Sequence, residues 1–372
     1  MPSNQYNIDA GIAYFVSPHG FGHAARACAV VQVLHQLLPR LHCHIFTTAP
    51  KWFFADSLVD GWSYHRCITD VGMAQKTALQ EDVDATLNQL EQFIPFNNQH
   101  VAHLAAKIRA LNVKLILCDI SPLGLRVAAQ AGMPGVLIEN FTWDWIYAGY
   151  AAKIEKFSRY IDYLRESFSL AKYHIRTAPF CGVEDADLIT APVSRLPRNA
   201  RSVIRGLLGV RNDQRVILIT MGGIPDKRDF SALQRLYPEI MFVIPASAPR
   251  EMRIGNIIYL PHHHAYYHPD LVTACDAVIG KVGYSTIAET YWAGVPLGYI
   301  PRGDFRESAA LVDFIKANMP GLEIPQPEFE SGDWYKYIRD LILLDRLDRS
   351  GENGAGQIVN FLASRNLIEF DT

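Results

Sequence analysis

Residues 12–26, IAYFVSPHGFGHAAR, run from an apolar stretch through a glycine turn into the alanine-rich opening of a helix. Ile12–Val16 has the composition of a buried strand, and Ser17-Pro18 stops it. Gly20, Gly22 and Ala25 then match G-x-G-x-x-A, the spacing of a dinucleotide-binding strand–turn–helix. That motif needs an acidic residue about 20 positions further on to hold the ribose, and none occurs between Ala10 and Ala55. His23 also stands where the helix begins, a position such sites give to a small residue. The dinucleotide reading fails. What remains is a glycine loop that carries His19 and His23 to the C-terminal edge of a parallel sheet, where open α/β domains hold their ligands.

Outward from that turn, short apolar runs alternate with helical patterns. GIAYFVS, CHIFTTA, KLILCD and GVLIEN read as buried strands. RACAVVQVLHQLL, ATLNQLEQFIPFNNQHVAHLAAKIRAL and GLRVAAQAG read as the helices between them. The alternation predicts a parallel sheet wrapped by helices. It restarts with RVILITMGG and continues through IMFVIPA, GNIIYLP, DAVIGKVG and PLGYIPR, with STIAETYWAG as an intervening helix. APVSRLPRNARS, Ala191 to Ser202, is polar and proline-bearing and reads as the linker. The expected division is 1–195 for a first α/β domain, 200–350 for a second, and 351–372 for a helix packing back onto the first.

The 372 residues exceed one ordinary core, which suits two domains. Lys+Arg 35 against Asp+Glu 38 leaves no general field for nucleic acid, and nucleic-acid binding is not expected. The six cysteines are scattered without a C-x-x-C pair, which favours a reducing compartment. The start MPSNQYNIDAG lacks a basic region followed by an apolar stretch, and no apolar run approaches the length of a membrane span. A cytoplasmic protein is expected, with peripheral membrane contact left open and oligomeric state unassigned.

Two constellations carry chemistry. His23 is the side chain type best suited to taking a proton near neutral pH, and Asp119, ending LILCD at the same sheet edge, is the acid that would orient it. The structural alternative makes the histidines turn residues and Asp119 a helix cap. In the second half, DAVIGKVGYSTIAETYWAG gives a strand, a turn with Lys281 and Gly283, and a helix opening at Tyr284-Ser285-Thr286. Free N–H groups at such a start favour a phosphate. Glu289, taken to lie on the first turn, is an acceptor suited to two ribose hydroxyls. Capping by Ser285 or Thr286 is the structural alternative. Gly222 and Gly223 in MGGIP supply a second close-approach turn.

Together these segments resemble the GT-B glycosyltransferases, in the branch of the peptidoglycan N-acetylglucosaminyltransferase and the diacylglycerol sugar transferases. There the first glycine loop ends in a histidine, like Gly22-His23, and a G-x-x-x-x-x-E motif resembles Gly283 to Glu289. A closer resemblance is to the glycosyltransferase-like N-terminal region of the L-arabinokinases. It covers HGFGHAAR, DVGMAQK, CDISP, NFTWDWIYAGY, HPDLVTACDAVIGKVGYSTIAE and SGDWYKYI in order, across nearly the whole chain. No glycine-serine-rich phosphate loop of the sugar-kinase type is present, so phosphorylation of arabinose is not expected.

The resemblance implies a GT-B fold of two Rossmann-like domains facing a cleft, and an inverting, metal-independent transfer from a nucleotide sugar, UDP first among the bases, to a hydroxyl acceptor. His23 would be the base, Lys281 with the turn to Thr286 would steady the diphosphate, and Glu289 would hold the ribose. LPHHHAYY, with His262 and His263, would embrace the base. Arg306, Glu307 and Ser308 fall where related transferases touch the donor sugar, although the paired glutamines of the peptidoglycan enzyme are missing. His19, Gly20, Gly22, Asp70, Gln75, Lys76, Asn140 and Asp144 are candidate acceptor contacts, with packing an alternative for the aromatic NFTWDWIYAGY segment. The consecutive His262–His264 do not suit a metal, which prefers spaced ligands on two elements, so no metal and no cofactor are expected. Two other functions fit the same cleft: a non-catalytic nucleotide-sugar sensor and a non-hydrolysing nucleotide-sugar epimerase.

Overall fold

The computed structural model describes residues 11–211, 213–225 and 228–368. Two seven-stranded sheets organise it. The first runs, edge to edge, Trp62–Arg66, Cys43–Thr47, Gly11–Val16, Val113–Asp119, Gly135–Glu139, Tyr173–Thr177 and Leu188–Thr190, all parallel. The second runs Met252–Ile254, Ile257–Tyr259, Met241–Ile244, Val216–Thr220, Ala277–Lys281, Leu297–Ile300 and Gly321–Glu323. Only its edge pair, Met252–Ile254 with Ile257–Tyr259, is antiparallel. The central strands are near-continuous apolar runs because helices cover both faces, as parallel sheets require.

Among the parallel strands of each sheet the order reverses at one place. In the first it lies between Gly11–Val16 and Val113–Asp119, and in the second between Val216–Thr220 and Ala277–Lys281. Open sheets hold ligands beyond the C-terminal ends of the strands at such a switch point. Here both switch points open toward the same cleft. Their loops carry Ser17–Gly22 and Asp119 on one side, and Met221–Gly223 and Lys281–Gly283 on the other.

The helix Phe21–Leu37 follows the first strand, and residues His23 to Val31 on it are all buried. Its small side chains, Ala24, Ala25, Ala27, Cys28 and Ala29, let neighbours approach closely. One neighbour is the helix Gly354–Ser364, whose Ile358, Val359 and Leu362 join Val30, Val31 and Leu34 in a single apolar cluster. The chain thus returns to the first sheet after completing the second. Residues 369–372 of the expected terminal helix lie outside the described residues, and the helix itself ends at Ser364.

One expected element differs. The long pattern around residues 85–111 is two helices, Val83–Phe93 and Asn98–Ala110. Pro95 lacks an N–H and constrains Ile94 away from helical geometry, so the first helix stops. Asn97 then caps the second, its Oδ1 accepting from the N–H groups of Gln99 and His100.

Because Ile358 is fully buried, Ile358→Ala is expected to lower the unfolding free energy by about 2–5 kcal/mol. Urea denaturation of both proteins measures the difference.

Candidate active site

The site is built around a carboxylate with no access to water. Asp119 ends its strand fully buried. His23 Nδ1 lies 2.9 Å from Asp119 Oδ1, while Arg26 Nε and Nη2 each donate to the same carboxylate at 2.7 Å. Burial alone would raise the Asp119 pKa, but the charge and hydrogen bonds of Arg26, then those of His23, outweigh it and hold the carboxyl below its ordinary range. An ionised carboxylate only accepts, so Nδ1 carries the proton and Nε2 of His23 is left as the acceptor.

Arg26 extends the network. Its Nη1 donates to Asn140 Oδ1 at 2.8 Å and to Thr177 Oγ1 at 3.1 Å, and its guanidinium sits 4.6 Å from the centre of the Tyr284 ring. Asn140 in turn donates to Glu307 Oε1 at 2.7 Å, and Arg302 Nη2 donates to Glu307 Oε2 at 3.3 Å. The first-domain pair is therefore wired to the second domain through buried groups.

Across the cleft, the helix Tyr284–Ala293 begins after Gly283 without a side-chain cap, and Phe21–Leu37 begins after Gly20 in the same way. A Cβ at Gly22 would lie 3.9 Å from Ser285 Oγ, so the two helix starts nearly touch. A pocket of about 70 Å³ lies between them, lined among others by His19, Gly20, Gly22, His23, Gln75, Asn140, Lys281, Gly283–Thr286 and Glu307. Lys281 makes no hydrogen bond or ion pair among the described residues. Burial, then the nearby Arg302 charge, push its ammonium pKa down to about 7. Burial, then His23, Arg302 and Lys281, drive the His19 pKa well below its ordinary value. Its Nδ1 accepts from the Met73 N–H at 3.3 Å, so neutral His19 is left with Nε2–H as a donor.

A larger cavity of about 470 Å³ adjoins this pocket. The second domain lines it with Thr220–Ile224, His262–His268, Ser285, Thr286 and Glu289, and the first with Phe21, Trp52, Phe53 and Asp56. The Nε2–H of His262 donates to the Gly223 carbonyl at 2.8 Å. His262 stacks on Phe21 with ring centres 5.4 Å apart, and His263 stacks on Trp52 at 4.6 Å. The φ of Gly222 is +65° and that of Gly223 is +81°, and a Cβ at Gly223 would fall 2.2 Å from the Phe21 ring. That turn needs glycine.

Several expected residues are elsewhere or otherwise engaged. Asp70 is buried behind the glycine loop, accepting from Ser17 Oγ at 3.1 Å and Trp143 Nε1 at 3.2 Å, and does not line the cleft pockets. Burial pushes its pKa up to about 7 against those two hydrogen bonds. Asp144 faces Arg165, 3.9 Å away, because its helix turns that side to the next helix. Lys76 is exposed outside the pocket. Arg306 lies over the Trp145 ring at 3.8 Å and donates to the Trp145 carbonyl, so it braces the domains and leaves the pocket lining. Ser308 Oγ accepts from the Arg302 N–H. Glu289 lies on the second turn of its helix, with both oxygens bound by Arg195 and His268.

Arg26, Arg195, His268, Arg302 and Trp52 were not singled out from sequence. Arg26 had a signal: an arginine one turn after His23, within an otherwise small and apolar helix face, must find a buried anion.

Two facing α/β domains with an open-edged switch point in each define the GT-B fold, and solved structures agree. Medicago truncatula UGT71G1 complexed with UDP-glucose is 14% identical, covers 97% of this chain and 95% of its own, and superposes with a TM-score of 0.58. A UDP-glucosyltransferase from Polygonum tinctorium is 13% identical over 98% of this chain and 94% of its own, with a TM-score of 0.61. In sequence, the chain is similar to L-arabinokinase from Arabidopsis thaliana, 28% identical over 362 residues. That match takes in 96% of this chain and 34% of the relative, so the chain spans about a third of its length. No family model matches.

Arg26→Met removes the strongest partner of a fully buried carboxylate, and a loss of about 3–5 kcal/mol is expected. The stabilisation that Asp119 gains from Arg26 is present above the ordinary carboxylate pKa and fades as pH falls through the depressed folded value. The gap between variant and wild type in chemical denaturation should therefore be widest near neutral pH and narrow in acid.

Proposed function

We propose that the protein is an inverting glycosyltransferase that uses no divalent metal, moving a sugar from a nucleotide sugar, with UDP as the base, to a hydroxyl acceptor. The observation that carries this reading is the free Nε2 edge of His23 in one pocket with Lys281 and the uncapped helix start at Tyr284. The fold shared with UDP-sugar-binding neighbours supports it.

In the proposed step, His23 Nε2 takes the acceptor hydroxyl proton as the oxygen attacks the anomeric carbon. The bond from that carbon to the diphosphate breaks on the opposite face, and the electron pair leaves with the diphosphate. One displacement inverts the anomeric centre. Asp119 stabilises the imidazolium that forms, and Arg26 keeps Asp119 ionised for that task. Free N–H groups, the helix dipole and Lys281 receive the departing charge, which is the role a metal would otherwise fill.

His23→Ala should lower transfer by about 100-fold or more, the usual worth of a general base, with UDP-sugar binding retained. Product formation by mass spectrometry and binding by calorimetry test this. Retained transfer would remove the base assignment, binding without any turnover would favour a sensor, and conversion of the UDP-sugar without acceptor would favour an epimerase.

Lys281 adds a pH signature. Diphosphate binding should raise its pKa from about 7, so affinity for UDP-glucose is highest below pH 7 and falls as pH rises. Titration calorimetry at pH 6.5 and 8.5 measures the trend, and Lys281→Met should flatten it.

A further inference from the structure

Two imidazoles line the small pocket, and they offer opposite chemistry. His23 Nδ1 is held by Asp119, which leaves Nε2 as an acceptor. His19 Nδ1 accepts from the Met73 N–H, which leaves Nε2–H as a donor. Neither Nε2 has a partner among the described residues. The ring centres are 6.4 Å apart, close enough for two adjacent hydroxyls each to reach one ring.

His19 is held in place. Its own N–H donates to Ser17 Oγ at 3.3 Å, and its ring meets that of Trp143 edge-on at 5.1 Å. A Cβ at Gly72 would come within 2.9 Å of His19 Nδ1, so the backbone closes on that side of the ring. A donor fixed this way loses little freedom when it bonds a ligand.

The aromatic side chains beside these rings form core and not a chamber. Phe141, Trp143, Tyr147 and Phe305 are buried in one apolar cluster. The gap that Trp143 and Tyr147 share with Asp70 is about 10 Å³, room for a single water. Several polar groups of the pocket are spent on one another: Arg26 on Asp119 and Asn140, Asn140 on Glu307, and Glu307 on Arg302. Lys281 and the helix start with Ser285 and Thr286 face the diphosphate in the function proposed above. The groups left for an acceptor are His23, His19 and the amide of Gln75, which makes no hydrogen bond among the described residues.

We propose that the acceptor is a vicinal diol, a sugar or other polyol rather than a lone alcohol or phenol. One hydroxyl gives its proton to His23 and reacts, while its neighbour accepts from His19 Nε2–H. The new C–O bond forms as the bond to the diphosphate breaks, and the second hydroxyl keeps its proton. This rests on the glycosyltransferase reading above.

A site built to bond a hydroxyl is penalised when the hydroxyl is missing, because its donor is left unpaired. The matched probes are cis-cyclohexane-1,2-diol and cyclohexanol, which differ by that one group. With UDP-glucose and the whole chain, kcat/KM for the diol should be at least about tenfold the higher, read by mass spectrometry of the products. A smaller ratio, or product from neither while calorimetry shows UDP-glucose bound, overturns the diol and leaves nucleotide-sugar binding standing. Absence of both binding and transfer overturns the transferase reading with it.

His19→Ala, checked for folding by circular dichroism, should bring the ratio below about threefold, and His19→Gln, which returns an N–H, should restore part of it. A folded His19→Ala protein that keeps the wild-type ratio overturns the role of His19. If neither variant folds, the wild-type ratio decides alone.

Discussion

A buried carboxylate has to be neutralised, and the way Asp119 is neutralised organises this molecule. A lone charge at the end of a fully covered strand would cost several kcal/mol. Arg26 meets it with two charge-assisted bonds and His23 with a third. The arginine then needs its own remaining donors satisfied, which ties it to Asn140, Thr177 and the face of Tyr284. Three strands of one sheet and a helix of the other are thereby held by one charge pair. The orientation of His23 follows from that arrangement, since the side of the ring facing Asp119 is fixed and the opposite nitrogen is left as an acceptor.

Small residues make room for this chemistry. The two helices that start at Phe21 and Tyr284 bring their positive ends into the same narrow space, where a side chain at Gly22 would approach Ser285. Like-signed dipole ends repel unless a negative group lies between them. The same reasoning applies to Lys281, whose ammonium is partly discouraged by burial and by Arg302. An anionic ligand would relieve both conditions at once, which supports the diphosphate site proposed above.

The two domains touch through more than the polar network. Phe305 of the second domain packs into the main apolar cluster of the first, while Leu79 from the hairpin Gln75–Glu81 joins a cluster of the second. His262 and His263 lie on Phe21 and Trp52 at the mouth of the larger cavity. Arg195 and Arg198, in the segment that crosses between the sheets, hold Ser57 and Glu289 together and bond the carbonyls of Asp56 and Ser57. A ligand entering the cavity meets surfaces from both domains, so its binding and the domain contact are energetically linked.

The sequence by itself determined the central, most apolar strands of both sheets, the two glycine turns and the helix starts beside them, because these depend on apolar runs and backbone freedom within a few residues; the more polar flanking strands Trp62–Arg66, Tyr173–Thr177, Leu188–Thr190, Met252–Ile254 and Gly321–Glu323 were not legible in it. It likewise pointed to His23, Asp119 and Lys281, which sit at the ends of legible strands. It could not show that Glu289, which lines the larger cavity, also pairs with Arg195 and His268, nor that Asp70 and Asp144 lie away from the cleft pockets. Tertiary structure decided those cases. Arg26 and Asp119 are 93 residues apart, and Arg195 and Glu289 are 94. No local periodicity encodes such a pairing, since it is set by which strands become neighbours and by the need of each buried charge to find an opposite one.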